Sequence, residues 1–177
     1  MSETTRVRQG NLIHVVSGAL IVGLACVVVW DTLVGSEGGA PEAWRVEVSA
    51  EQQLAPDRFA YSERLKVEAC AEPREAEVVC LGAIGRDGAW LGAPRALTAG
   101  QGEGCWGAEV SAADLSDAHY GPLWVVVVSG VSSCQELGAL REALRGQQRP
   151  RVALASEVER LGWAWGAARI YVHDKLQ

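Results

Sequence analysis

Cysteine carries most of the chemistry this chain could do. Cys70, Cys80, Cys105 and Cys134 lie in its C-terminal three-quarters, and a fifth, Cys26, sits apart within an apolar run. No pair has the CxxC spacing, and no histidine stands at a ligand-like offset, so the pattern does not predict a zinc site. An even set of four beyond an apolar segment reads as two disulfides, for which three connectivities exist. The favoured pairing is Cys70 with Cys80 and Cys105 with Cys134. It rests on alternation: in Arg64 to Cys70 the apolar set is Leu65, Val67 and Ala69, which puts Cys70 on the other face. In the next strand Val79, Leu81 and Ala83 point inward and Cys80 outward, so a hairpin would bring the two sulfurs together.

Catalysis is poorly signalled. Cys134 would occupy the first turn of a helix, where backbone N–H groups lower a thiol pKa, but a disulfide is the stronger expectation. His119, and His173 followed by Asp174, have no Gly-x-Ser-x-Gly elbow to serve. GAIGRDG, at 82–88, lacks the Lys-Ser/Thr ending of a phosphate loop. No catalytic, cofactor-binding or metal-binding residues are assigned, and no cofactor is expected. Tryptophans at 90, 106, 124, 163 and 165 could line a sugar or peptide groove, though most are expected in the core. Trp163 and Trp165 are the expected exposed aromatic contact.

These residues must be positioned by a domain that follows a membrane segment. Leu12 to Trp30 is unbroken by Asp, Glu, Lys or Arg. At about 1.5 Å per residue it would span roughly 28 Å, close to the hydrocarbon thickness of a bilayer. Arg6 and Arg8 precede it, whereas Arg45 is the first basic residue after it, which predicts a cytoplasmic N-terminus and a periplasmic C-terminal domain. A signal peptide cleaved near Val34-Gly35-Ser36 is disfavoured by the length of the apolar core. A lipoprotein site at Cys26 lacks a polar tether after it, and a pilin-type anchor lacks an acidic residue near its start. His14 is expected to reach the headgroups, and Ala19 with Gly23 offers a small-xxx-small face for a homodimer.

The expected organisation is residues 1–11 cytoplasmic, 12–30 a single transmembrane helix, 31–43 a linker and 44–177 one folded domain. Short β-like runs fill that domain: WRVEV from Trp44, RLKVEA from Arg64, then Glu77 to Ile84 and Cys105 to Val110. LWVVVV, Leu123 to Val128, reads as a central strand. Gly92 to Gly104 reads as loop. Ser133 to Glu136 matches a capping box, followed by Leu137, Leu140 and Leu144 on one helical face and Gly146 and Pro150 as terminators. Ala153 to Leu161 is a weaker helix, and Ala168 to His173 a closing strand. The predicted class is mainly β: a β-sandwich-like domain with one packed α-helix. The net charge of −6 and the absence of a basic stripe argue against nucleic acid as a partner.

Four segments together resemble a bacterial domain of unknown function: ERLKVEA at Glu63 to Ala69, VVCLGAIGRDGAW at Val78 to Trp90, GPLWVVVVSG at Gly121 to Gly130 and ELGALREALRG at Glu136 to Gly146. That domain, found in myxobacteria-like bacteria, occurs beside caspase-like peptidases and in membrane proteins encoded near extracytoplasmic-function sigma factors. The chain departs from it at WLGAP, Trp90 to Pro94, where an aromatic-Pro ending is usual. The resemblance implies a non-catalytic β-sandwich in envelope signalling or an accessory role, and it transfers no site residues. The functional expectation is an extracytoplasmic binding or sensing accessory module at the inner membrane, with an envelope protein as partner. Its rivals are a structural subunit of a membrane complex and, less favoured, a thiol enzyme using Cys134.

Overall fold

LWVVVV is apolar on both faces because both faces of its strand are covered. In the computed structural model, which describes residues 42–51, 55–71, 76–100, 102–117 and 120–174, it forms the centre of β8, Gly121–Ser129. The apolar run at 12–30, the linker to Pro41, and with them His14, Ala19, Gly23 and Cys26, lie outside the described residues, as does His119. The chain divides into two units, Met1–Gly38 and Gly39–Gln177, and the described residues all belong to the second. No helix among the described residues is long and apolar enough to cross a membrane.

Two sheets build this unit. The first has the order β1-β3-β7-β6: Arg45–Ala50, Arg64–Cys70, Cys105–Ser111 and Thr98–Ala99. The second has the order β2-β9-β8-β4-β5: Arg58–Ala60, Ala164–His173, Gly121–Ser129, Val79–Gly85 and Trp90–Ala96. All pairings are antiparallel except β2 with β9. Leu65, Val67 and Ala69 of the first sheet meet Leu81, Val125, Val127 and Ile170 of the second in one core. The alternating partners Arg64 and Lys66 stay exposed, as the period-2 pattern predicts.

A second core lies on the opposite face of the second sheet. Cys80, Ile84, Val126, Val128 and Trp165 pack there against Leu137, Leu140, Leu144, Leu154 and Val158. The helical residues come from a 3₁₀ turn at Cys134–Leu137, α2 at Gly138–Leu144 and α3 at Pro150–Leu161. A short α1, Ala112–Ser116, follows β7. The molecule is therefore mainly β, with two sheets, but the expected single packed helix is corrected to a helical layer. Pro150, read as a stop signal for one helix, opens the next: it sits in the first turn of α3, where its missing N–H costs nothing.

The expected capping box is only half formed. Ser133 takes the extended backbone of an N-cap but makes no side-chain cap bond. Glu136 instead accepts a 2.6 Å hydrogen bond from Ser132 Oγ, and the first turn is 3₁₀ rather than α. The region read as loop after Gly92 carries the end of β5 and all of β6; Pro94 is tolerated because β5 is an edge strand.

The start of the domain is stitched into the second sheet. The backbone N–H groups of Ala43 and Trp44 both donate to the carbonyl of Trp165. The Trp44 side chain is buried, and its indole N–H donates to Ser129 Oγ at 3.0 Å. Gly166 makes room for it: a Cβ there would lie 2.1 Å from the Trp44 carbonyl oxygen.

Candidate functional site

The cysteines join differently from the favoured pairing. Cys70 bonds Cys105, and Cys80 bonds Cys134. The register of β3 on β7 sets Cys70 opposite Cys105 in the first sheet. β4, which carries Cys80, belongs to the second sheet, so β3 and β4 never form the hairpin that a Cys70–Cys80 bond required. Cys80 does point away from Leu81 and Ala83, as its parity in the strand predicts. The face it points to is covered by helix rather than water, and Cys80 is fully buried there.

That disulfide anchors one wall of an open groove of about 790 Å³. The opposite wall is the edge strand β5, where Trp90, Pro94 and Ala96 line it; Gln135, Leu137 and Arg141 face them from the helical side. Trp90 is seated by Gly82 of β4. A Cβ on Gly82 would come 2.1 Å from the Trp90 ring, so the indole occupies the space a side chain would fill. Only 6% of Trp90 is exposed, yet its Nε1–H is buried without a hydrogen-bond partner. Leaving such a donor unmet costs about 1–3 kcal/mol. Arg141, exposed on α2, makes no ion pair among the described residues.

A second polar cluster lies where β2, β9 and the start of β8 meet. The rings of Tyr171 and His173 are 4.5 Å apart, those of Tyr61 and Tyr120 5.2 Å. The guanidinium of Arg58 lies 5.6 Å from the Tyr171 ring centroid. Arg151 and Arg169 lie 5.5 and 5.9 Å from that of Trp124, and Arg151 also holds Glu42 at 2.7 Å. His173 Nε2 is buried without a partner. Desolvation, and then the charge of Asp174, raise the pKa of the Tyr120 phenol above its ordinary 10.0; the phenol also donates to that carboxylate.

This yields a pH prediction. A raised pKa keeps the phenol protonated in the folded state, so its stabilising contribution is present below about pH 10 and is lost as pH climbs through the folded value. Phenolate absorbance should resolve one late-titrating tyrosine, absent in Tyr120→Phe and titrating earlier in Asp174→Asn. A late tyrosine that persists in Tyr120→Phe would refute the assignment.

The aromatic contact expected at Trp163 and Trp165 is not assembled. Trp165 is buried in the helix-covered core, and Trp163 is half-buried beside Gly130. Tyr120 and Tyr171 are the exposed large aromatics among the described residues, at 48% and 37%. Glu68, Cys70 and Cys105 cluster closely enough to suggest a metal site, but both sulfurs are spent in their disulfide. The sulfur of Cys134 is likewise committed to Cys80 and is no free nucleophile in this state. Sequence reasoning names Trp90 only as one of five tryptophans able to line a groove, most of them expected in the core, and misses Arg141. The available signal was Gly82, a glycine inside an apolar strand, which marks a close approach. No family model matches this chain, and no curated protein matches it.

Proposed function

We propose that the chain is a membrane-anchored binding module, held by residues 12–30 with its domain outside the cytoplasm of a bacterial inner membrane, that recognises a ligand or an envelope protein without catalysing a reaction. The observation that carries this reading is the groove between β5 and the helical layer, with its buried, unpartnered Trp90 N–H. A buried donor left unmet calls for a partner, which a ligand seated beside Trp90 would supply. Two disulfides in the domain fit an oxidising compartment, and the compartment fits the charge asymmetry around the anchor. A role in envelope signalling accords with the family resemblance described above.

A photo-crosslinking amino acid at Gln135, on the groove, tests this in living membranes. The reading expects a discrete adduct that is missing when the crosslinker is placed at Glu159 on the exposed side of α3. Capture of the chain by itself alone, or equal capture from both positions, would sink it.

A second reading is a structural subunit of a membrane complex. It is favoured by Arg58, Arg169, Trp124 and Tyr171, a cationic and aromatic strip on an acidic protein. A detergent-resistant assembly far above 18.8 kDa, lost when residues 12–30 are replaced, would select it over the first.

A further inference from the structure

We propose that the groove between β5 and α2 receives an apolar carboxylate; this rests on the reading of that groove as a binding site and names its ligand class. Two of the side chains that line the groove, Trp90 and Arg141, are donors only, whereas Ser132, Ser133 and Gln135 can donate or accept. An indole N–H donates and cannot accept, and a guanidinium presents five N–H groups and no lone pair. The Trp90 N–H is buried and unpartnered, and Arg141 makes no ion pair among the described residues. The hydroxyl proton of Ser132 is donated to Glu136, which leaves that oxygen only as an acceptor. Arg141 is the sole charged side chain among the residues that line the groove. Its complement is therefore an acceptor bearing one negative charge.

The remaining walls choose the body of the ligand. Val78, Ala93, Pro94, Ala96 and Leu137 are apolar, and the polar remainder, Ser132, Ser133 and Gln135, carries no charge to balance a second one. A phosphate or polyanion would bring more charge than one guanidinium can match. A carboxylate fits the planar guanidinium fork with two parallel hydrogen bonds, and an apolar chain behind it covers the β5 wall. The volume of about 790 Å³ lies in the range of small-ligand pockets. The same chemistry comes from two sources: the C-terminal carboxylate of a peptide ending in apolar residues, or a free organic acid.

The test uses the full-length chain in nanodiscs and reads the indole N–H signals by NMR, with Trp90→Phe assigning the one of interest. The probes are acetyl-Ala-Val-Leu as free acid and as C-terminal amide, and 4-phenylbutyrate with 4-phenylbutanol. Each acid is expected to bind at least about tenfold tighter than its neutral partner and to move the Trp90 signal; a charge-assisted hydrogen bond supports that ratio. In Arg141→Gln the preference should fall to about twofold or less. Preference for the peptide acid alone assigns a protein C-terminus; response to both acids assigns the carboxylate group itself. Equal binding of acid and neutral probes, or a preference that survives Arg141→Gln, overturns the carboxylate assignment and leaves the groove as a binding site. If no probe moves the Trp90 signal, 4-phenylbutylamine included, both readings fall.

Discussion

Removing the Cys80–Cys134 disulfide, as Cys80→Ala/Cys134→Ala, should lower unfolding stability by about 4 kcal/mol, the chain-entropy value for a loop of 54 residues. For a domain of this size that corresponds to a fall in Tm on the order of 10–15 °C. Loop entropy is one part of the effect. The bond cross-links the second sheet to the helical layer, and the segment it fixes is a short 3₁₀ turn with no side-chain cap. Without it, Leu137 alone holds that turn to the sheet through apolar burial. The helical wall of the groove should therefore loosen before the sheets separate. Hydrogen exchange should rise first in Ser133–Gly138, and affinity at the groove should fall with it. The paired change Cys70→Ala/Cys105→Ala is the contrast: it removes a bond between strands already joined by a full antiparallel ladder, and groove binding should persist. Thermal unfolding of the two double variants, with exchange on each, decides the matter. Equal local exchange in both, or a loss under about 1 kcal/mol for the Cys80 pair, would contradict the account.

The difference between the two disulfides also shows what the residues revealed and what they concealed. Parity was legible. Leu65, Val67 and Ala69 face one way, Cys80 points opposite to Leu81, and Leu137, Leu140 and Leu144 share a buried face. Period-2 and period-3.6 patterns are local, and a single chain carries them in full. The destination of each face was not legible. The face opposite Leu81 carries no mark that separates solvent from protein, and a helical layer lies there, assembled from residues about 50 or more positions downstream. A strand covered on both sides presents only an apolar run, which says that both faces are buried and not by what. Strand pairing shares the limitation. β4 follows β3 in the chain, but it crosses to the other sheet and pairs with β8 and β5. The groove was hidden for the same reason: Trp90 and Arg141 come together only once β5 lies beside α2. Trp165 is buried where a contact residue is expected because aromatic spacing cannot distinguish a surface stripe from a second core.

Gly82→Ala should be nearly as damaging as loss of the disulfide, and more specific to the site. The added methyl would stand 2.1 Å from one Trp90 ring carbon and under 3 Å from two more. The ring is rigid and packs within the same buried cluster as Cys80, Ile84 and Leu137, so it cannot give by a small rotation. Either the indole is expelled from its seat or β4 parts from β5. Both outcomes belong at the upper end of overpacking costs, about 3 kcal/mol. Expulsion would also carry the indole N–H away from the groove, so binding should be lost even at temperatures where the variant remains folded. Gly138→Ala provides the comparison, since a Cβ there meets nothing within 4 Å and the position opens α2. It should be neutral or stabilising by up to about 1 kcal/mol. A double variant, Gly82→Ala/Trp90→Leu, separates steric conflict from lost function. The smaller side chain should recover part of the stability lost in Gly82→Ala, while binding stays absent because no N–H is restored. Chemical denaturation of the four proteins measures the first effect, and titration with an apolar carboxylate the second. A Gly82→Ala protein with unchanged stability would show that Trp90 is not held against β4. A double variant that binds would show that the indole N–H is not what receives the ligand.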